Sequence, residues 1–298
     1  MVTTPDNYQK VRPRVIILAA GVGKRLYPLT KTRPKCLLQI GKFSILEWTL
    51  SALAGAGVKE VLIVTGHQAP ALERTLISFE QTFRLKIRPI FNPYYAHYNN
   101  SYSLLLALRE HQNGDFVLYN SDVLVGLDLI YEIIATTDSD FLVIDEKSSL
   151  GEEAMKVKTE NNRIIAIGKE LDPAGSDGEY IGIAKFSAEG CRRIVNELDR
   201  LGQIKDGYQQ FYEAAIAHLL PYYPIKKFST NGASWIEIDS FADLNEAKIR
   251  VLPEIEMHNI AKRLCPFKSP KKPCTVDPVR SPKIEVRRGC LSNLKELE

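Results

Sequence analysis

Leu18-Ala19-Ala20-Gly21-Val22-Gly23-Lys24-Arg25-Leu26-Tyr27-Pro28-Leu29-Thr30, closing at Arg33-Pro34-Lys35, lies between an apolar run, Val15–Leu18, and an amphipathic segment, Ser44–Leu53. A strand, a glycine-bearing loop and a helix in that order predict a cradle for phosphate. Glycines let backbone N–H groups approach phosphate oxygens, and Arg25 and Lys35 bring countercharge. What the loop lacks narrows its type. A Walker loop places Lys-Ser or Lys-Thr after its last glycine, whereas Gly23-Lys24 is followed by Arg25. A dinucleotide fingerprint needs a third glycine where this chain has Leu26, and an acid where the next strand ends in Val64-Thr65-Gly66. A nucleotide-binding dehydrogenase fails on both counts.

Outward from the loop, apolar and partly β-branched runs recur at Val61–Thr65, Leu85–Phe91, Phe116–Tyr119 and Phe141–Ile144. Between them, Ile45–Ala56, Ala69–Glu80, Ser103–His111 and Leu127–Thr136 carry apolar residues at helical spacing. This alternation predicts an α/β fold, doubly wound, with a mainly parallel sheet and helices on both faces. Ligands then bind outside the carboxyl ends of the strands, where the loop after Leu18 and the segment after Tyr119 converge. The second half differs. Asn161-Asn162 between Met155–Lys158 and Arg163–Gly168 signals an added β-hairpin, and Tyr180–Phe186 another strand. Helices follow at Cys191–Leu201 and Tyr208–Leu220, strands near Tyr223–Phe228 and Trp235–Ile238, and a last helix at Phe241–Leu252.

The 298 residues divide accordingly: an extension over 1–14, one catalytic-type domain over 15–252, and a basic, proline-containing tail over 253–298 expected to be poorly ordered. Within the domain, about 15–145 is the nucleotide-binding part and about 146–252 the acceptor-binding part. The net charge of +3 hides an asymmetry. Residues 261–298 hold ten Lys/Arg against four Asp/Glu, and the remainder 29 against 32. A body without basic excess predicts no nucleic-acid partner. The tail reads as a solvated extension, with contact to a partner or membrane surface as the alternative. A polar start and the absence of a long apolar run predict neither a secretory leader nor a transmembrane segment. Five cysteines without metal-like spacing predict reduced thiols and a cytoplasmic location. A homo-oligomer stays open.

Several residues have two readings each. Asp122, in Asn120-Ser121-Asp122, ends an apolar strand and so points at the crevice as a metal ligand or serves as a turn residue. Asp239, in Glu237-Ile238-Asp239-Ser240, is a ligand or a helix cap. Lys156 and Lys169 alone read as exposed strand lysines. Cys36 reads as a small core residue.

The longer string, Gly-x-Gly-x-Arg-Leu-x-Pro-Leu-Thr ending in Pro-Lys, resembles the signature of the nucleotidyltransferases that activate sugar 1-phosphates and phospho-alcohols. The resemblance covers roughly Val15 to Leu252 and implies a nucleotide-diphospho-sugar transferase-like fold and a Mg²⁺-dependent reaction between small molecules. An acceptor phosphate attacks the α-phosphorus of a nucleoside triphosphate, and pyrophosphate leaves. Because a phosphate oxygen is already ionised, the site needs charge neutralisation, in-line positioning and a metal rather than a protein nucleophile. By this resemblance Arg25 binds the triphosphate and Lys35 acts at the α-phosphate. Leu18, Ala20, Gly21 and Gly23 cradle the nucleotide, and Asp122 and Asp239 hold the metal. Lys156, Lys169, Glu179 and Tyr180 face the acceptor, with Lys169 the stronger of the two lysines.

The segment Asn92-Pro-Tyr-Tyr-Ala-His-Tyr-Asn-Asn-Ser-Tyr-Ser103 is dense in amide and hydroxyl groups able to read a base edge. It resembles the cytidylyltransferase branch, which activates phosphocholine, aminoethylphosphonate and inositol phosphate. Asn100, Ser101 and Ser103 are the base-side candidates, against a polar loop and helix cap. CTP and phosphocholine are thus the expected substrates. Tyr95, Tyr98, Tyr180 and Trp235 are candidates for an aromatic box around a quaternary ammonium. A sugar-1-phosphate enzyme using UTP or dTTP is the alternative, and a non-catalytic regulatory subunit a second.

Overall fold

The computed structural model describes residues 12–264 except 112, 113 and 147–149. Val15, Ile16 and Ile17 are β-branched and wholly buried, so Arg14–Leu18 forms the central strand β1. After the signature loop come a small hairpin, β2 (Gln39–Ile40) and β3 (Phe43–Ser44), and helix α1 (Ile45–Gly55). Ser44 caps α1 in a reciprocal box with Glu47. Strands and helices then alternate as expected: β4 (Glu60–Thr65), α2 (Ala69–Phe83), β5 (Lys86–Phe91), α3 (Asn100–His111), β6 (Phe116–Asn120), β7 (Val123–Val125), α4 (Leu127–Ala135) and β8 (Phe141–Asp145).

The hairpin β9 (Lys156–Glu160) and β10 (Arg163–Gly168) turns through Asn161 and Asn162, both at positive φ. Asparagine tolerates that region better than most residues, which makes the pair a hairpin signal. There follow β11 (Gly178–Phe186), α5 (Ala188–Gly202), α6 (Glu213–Leu219), β12 (Lys226–Ser229), β13 (Trp235–Glu237) and α7 (Phe241–Glu246). A π-helical turn at Ala247–Val251 joins α7 to α8 (Leu252–Leu264). The chain divides after Ile260, and the site lies wholly in the unit before it. Residues 253–264 of the expected tail are therefore helical; residues 265–298, like 1–11 of the expected extension, lie outside the described residues.

One nine-stranded sheet runs β5-β4-β1-β6-β11-β8-β12-β10-β9. Its first four strands are parallel, each joined to the next in sequence through a helix. The expected mainly parallel character is interrupted by β11, which pairs antiparallel with both β6 and β8; beyond it β8 and β12 pair in parallel again, and β10 pairs antiparallel with both β12 and β9. β10 and β11 both flank β9 antiparallel and so run in the same direction, joined through a short 3₁₀ turn, Pro173–Gly175.

Period-two alternation sends successive strand residues to opposite faces. Ile16, Leu62, Leu118 and Leu142 pack under α3, α5 and α6. Ile17, Ile63, Val117 and Val143 pack under α1, α2 and α4. A third cluster matters most for the site. Leu26 and Leu38 from the signature loop pack with Leu124, Ile238, Leu244 and Val251, which fixes the loop against the start of α7. Each such fully buried leucine or isoleucine contributes about 1.5–3 kcal/mol.

Candidate active site

The carboxyl ends of β1 and β6 open into a cleft of about 1230 Å³. Leu18, Ala20, Gly21 and Gly23 line one wall together with Arg25 and Lys35. Gly23 adopts φ +63°, a left-handed conformation that lets the loop turn back toward Lys35. Thr30 holds the turn by donating to the Gly23 carbonyl at 2.8 Å. After Pro34 the chain enters a 3₁₀ turn, Lys35–Leu37, that buries Cys36. Burial pushes the Cys36 thiol up to about 12, so it is an inert core residue, as its sequence reading has it.

Asp122 and Asp239, 117 positions apart, meet through main-chain pairing. β7 and β13 form a two-stranded ribbon with Val123 opposite Glu237, and Ile238 N–H donates to the Asp122 carbonyl at 3.0 Å. The ribbon sets both carboxylates beside the Lys35 Nζ, which donates to Asp122 Oδ2 at 2.8 Å and Asp239 Oδ1 at 2.5 Å. Arg25 donates to the other oxygen of Asp239 at 2.6 Å. The cap of α7 is Ser240, which exchanges bonds with Asp243, so Asp239 is left to face the cleft. That resolves the two readings of Asp239 in favour of the crevice.

Charges in this knot shift one another. Burial alone would lower the pKa of Lys35, but Asp122 and Asp239 more than reverse it and hold the ammonium above the ordinary lysine range. Burial opposes ionisation of Asp239 too, yet Lys35 and Arg25 keep its carboxyl below the usual carboxylate range. Glu237 behaves otherwise. Burial first, and then the negative charges of Asp122 and Asp239, raise it to about 8.

The other candidates separate sharply. Asn100 and Ser103 line the cleft, whereas Ser101 is fully buried at the start of α3 with Tyr208 O 3.5 Å from its hydroxyl. Asn100 Oδ1 accepts from Tyr212 N–H at 2.9 Å, which ties the start of α3 to the start of α6. Lys169, Glu179 and Tyr180 also line the cleft. Lys169 pairs with Glu153 at 3.1 Å and lies 5.2 Å from the centre of the Phe211 ring. Lys156 is the correction. It is 1% exposed, and its Nζ donates to the carbonyls of Glu152, Ala154 and Lys169 at 2.9, 3.2 and 2.5 Å. Its donors are consumed inside the protein, so it does not present itself to a ligand in the cleft.

Tyr95, Tyr98, Tyr180 and Trp235 all line the cleft, though the Tyr180 hydroxyl is tied to that of Tyr212 at 3.0 Å. Two acids escaped the sequence reading. Asp145 ends β8 directly opposite Glu179 on β11, and accepts from Trp235 Nε1 at 2.8 Å. Glu213 opens α6 at 6% exposure, and burial pushes its carboxyl up to about 7. Asp145 had a signal, an acid ending an apolar strand. Glu213 had none, since it reads as one more acid at a helix start.

The Nucleotidyl transferase family profile matches residues 14–140. A choline-phosphate cytidylyltransferase of Haemophilus influenzae is 30% identical over 185 residues, covering 61% of this chain and 72% of that protein. The chain belongs to the nucleotidyltransferase family. A CTP:phosphoglutamine cytidylyltransferase of Campylobacter jejuni is 27% identical over 246 residues, 77% of this chain and 96% of that one. The solved inositol-1-phosphate CTP transferase from T. maritima has the same fold, with TM-score 0.69 and 21% identity over 84% of this chain and 98% of that one.

This nucleotidyltransferase acts on small molecules, and enzymes of its family generally use a divalent metal. Asp122, Glu237 and Asp239 each bring a carboxylate oxygen within 4.8 Å of the others, a cluster suited to a hard cation. Asp122 Oδ1 is buried without a hydrogen-bond partner, the state expected of an oxygen kept for a metal or its waters. The residues fit the group. Among the described residues, no helix is long and apolar enough to cross a membrane.

Proposed function

We propose that this nucleotidyltransferase moves CMP from CTP to a small phospho-compound carrying a cationic nitrogen, releasing pyrophosphate. The observation that carries the reading is Lys35 bridging Asp122 and Asp239 at the mouth of the glycine loop. Gly21 and Gly23 cradle the triphosphate and Arg25 pairs with it. Lys35 stands at the α-phosphate, where its charge stabilises the negative charge that builds as the bond to pyrophosphate breaks. Asp122 and Asp239 hold Mg²⁺, with Glu237 beside them; when bound, the ion neutralises phosphate charge and aligns the reacting oxygens. The acceptor phosphate, ionised at neutral pH, attacks without a protein base.

Asn100 and Ser103 stand on the base side, with Tyr95 and Tyr98 beside them. The acceptor side is marked by its charge. Lys169 shares the lining of the cleft with Asp145, Glu179, Glu213 and Glu237, and with Trp235 and Tyr180. Burial and the nearby Asp145 raise Glu179. A cleft lined by that many acidic groups favours an acceptor with a positive end besides its phosphate, because a bound cation draws the raised carboxyls among them back into their charged form, and aromatic faces favour an ammonium. Phosphocholine is the first choice, ahead of 2-aminoethylphosphonate. Cys36 and Cys191 are buried free thiols, in keeping with the cytoplasmic location proposed for the enzyme.

The test is pyrophosphate release with Mg²⁺ across four triphosphates and a panel of phospho-acceptors. Release with CTP and phosphocholine or 2-aminoethylphosphonate supports the reading. Release only with UTP or dTTP and a sugar 1-phosphate overturns it.

A further inference from the structure

Three pieces of chain that line the acceptor side meet at a residue that does not reach it. Glu153, Ala154 and Met155 precede β9; Lys169 follows β10; Glu179 and Tyr180 lie on β11. Lys156 touches all three. Its backbone pairs with Gly168 on one side and Glu179 on the other, because β9 is bonded to both β10 and β11 at this point. Its side chain turns inward, and the Nζ draws together carbonyls from Glu152, Ala154 and Lys169. An amine with three donors and three carbonyl acceptors is fully satisfied, so the arrangement fixes distances as well as neutralising buried polar groups.

What the Nζ fixes is the geometry of Lys169. The bond to the Lys169 carbonyl holds that residue's backbone against the Glu152–Ala154 turn. The turn presents Glu153, whose carboxylate pairs with the Lys169 Nζ. The opposite rim, Phe211, faces the same Nζ. Met155 contributes a further tether, its carbonyl accepting from Tyr180 N–H at 2.8 Å. The exposed lysine is thus aimed from below by the buried one.

We propose that Lys156 is a positioning residue for acceptor recognition, acting through Lys169 and never touching substrate. This rests on the assignment of Lys169 to the acceptor phosphate. A buried amine donating to three carbonyls is a directional device that an apolar side chain of similar length cannot replace.

The experiment compares wild type, Lys156→Met, Lys156→Gln, Lys169→Ala and the double variant Lys156→Met/Lys169→Ala. Initial rates are taken with Mg²⁺-CTP and phosphocholine, and with 2-aminoethylphosphonate as the second acceptor. Lys156→Met should raise the acceptor KM roughly tenfold to a hundredfold, the scale expected when a contact is misplaced by about an ångström. The CTP KM should stay close to wild type. Lys156→Gln, which keeps two donors, should recover part of the loss. In the Lys169→Ala background, Lys156→Met should add little, because the group it aims is gone.

Hydrogen exchange on the full chain supplies a readout independent of turnover. Lys156→Met should speed exchange over residues 152–156 and 167–171 while β1, β4 and β6 stay protected. Additive KM effects in the double variant, or equal rises in the CTP and acceptor KM, overturn the proposal. So does unchanged exchange in the two segments. Silence of the wild type with every acceptor would strike at the functional reading alone, and exchange would still decide the role of Lys156.

Discussion

The Nζ of Lys35 lies 2.5 Å from Asp239 Oδ1, although 204 positions separate the two residues in the chain. That contact closes the cleft floor, since the same Nζ also holds Asp122. Three acidic groups would repel one another at this spacing, and the buried cation bonds two of them and holds them near. The relation between Lys35 and Asp239 therefore joins charge balance in the resting site to the charge that develops in the reaction.

Lys35→Ala should lower kcat by about 10²–10³, the scale of removing one preorganised electrostatic group. Binding of CTP should weaken far less, because the charge of Lys35 matters most as pyrophosphate departs. Steady-state kinetics with a direct CTP binding titration check this. Equal losses in kcat and CTP affinity would remove Lys35 from the transition state.

Asp122→Asn keeps the size of the side chain but halves its capacity as an anionic ligand. The Mg²⁺ concentration for half-maximal rate should rise by roughly tenfold to a hundredfold, and chelation by EDTA should silence wild type and variant alike. A metal titration curve that superimposes on wild type would take Asp122 out of the ligand set.

Much of this arrangement was legible in the sequence, and the reason is local. A glycine loop between a β-branched strand and an amphipathic helix has few structural solutions, so Arg25 and Lys35 could be placed from neighbours alone. Asp122 was legible because it follows an apolar strand. The failures have a different origin. Lys156 alone read as an exposed strand lysine because its strand shows nothing of what covers it, and only the fold brings the carbonyls of Glu152, Ala154 and Lys169 around its Nζ. The mainly parallel sheet was legible from the alternation of strands and helices, but the antiparallel insertion of β11 between β6 and β8 was not, because no local pattern tells a strand its neighbours. Ser101 and Ser103 share a helix, and nothing local says which of them meets the cleft.

Trp235→Phe keeps an aromatic face but removes the Nε1 donor that Asp145 accepts at 2.8 Å. Asp145 then loses a charge-assisted hydrogen bond worth about 1.5–3 kcal/mol. If the Trp235–Asp145 pair shapes the acceptor side, the acceptor KM should rise by roughly tenfold while the CTP KM stays unchanged, since 1.4 kcal/mol is a factor of ten. Kinetics with each substrate varied in turn separate these. A rise in the CTP KM alone would place the indole on the nucleotide instead.

Glu213 makes a pH dependence that points the opposite way from an ordinary surface carboxylate. Its carboxyl is nine-tenths buried and pushed up to about 7, from 4.5 for a free glutamate, chiefly because burial disfavours its charged form. The folded state therefore holds this proton more tightly than the unfolded chain does. The stability that follows is fully present below pH 4.5 and is lost as pH rises through about 7. Above that, keeping Glu213 ionised and buried costs about 3 kcal/mol. Glu213→Gln removes the titration and keeps the shape. Its melting temperature should match or trail wild type at pH 5 and exceed it at pH 8 by roughly 6 °C or more. Thermal melts of both proteins from pH 5 to 8, without substrate, check this: a difference that stays flat across the range would show that Glu213 does not carry the shifted proton.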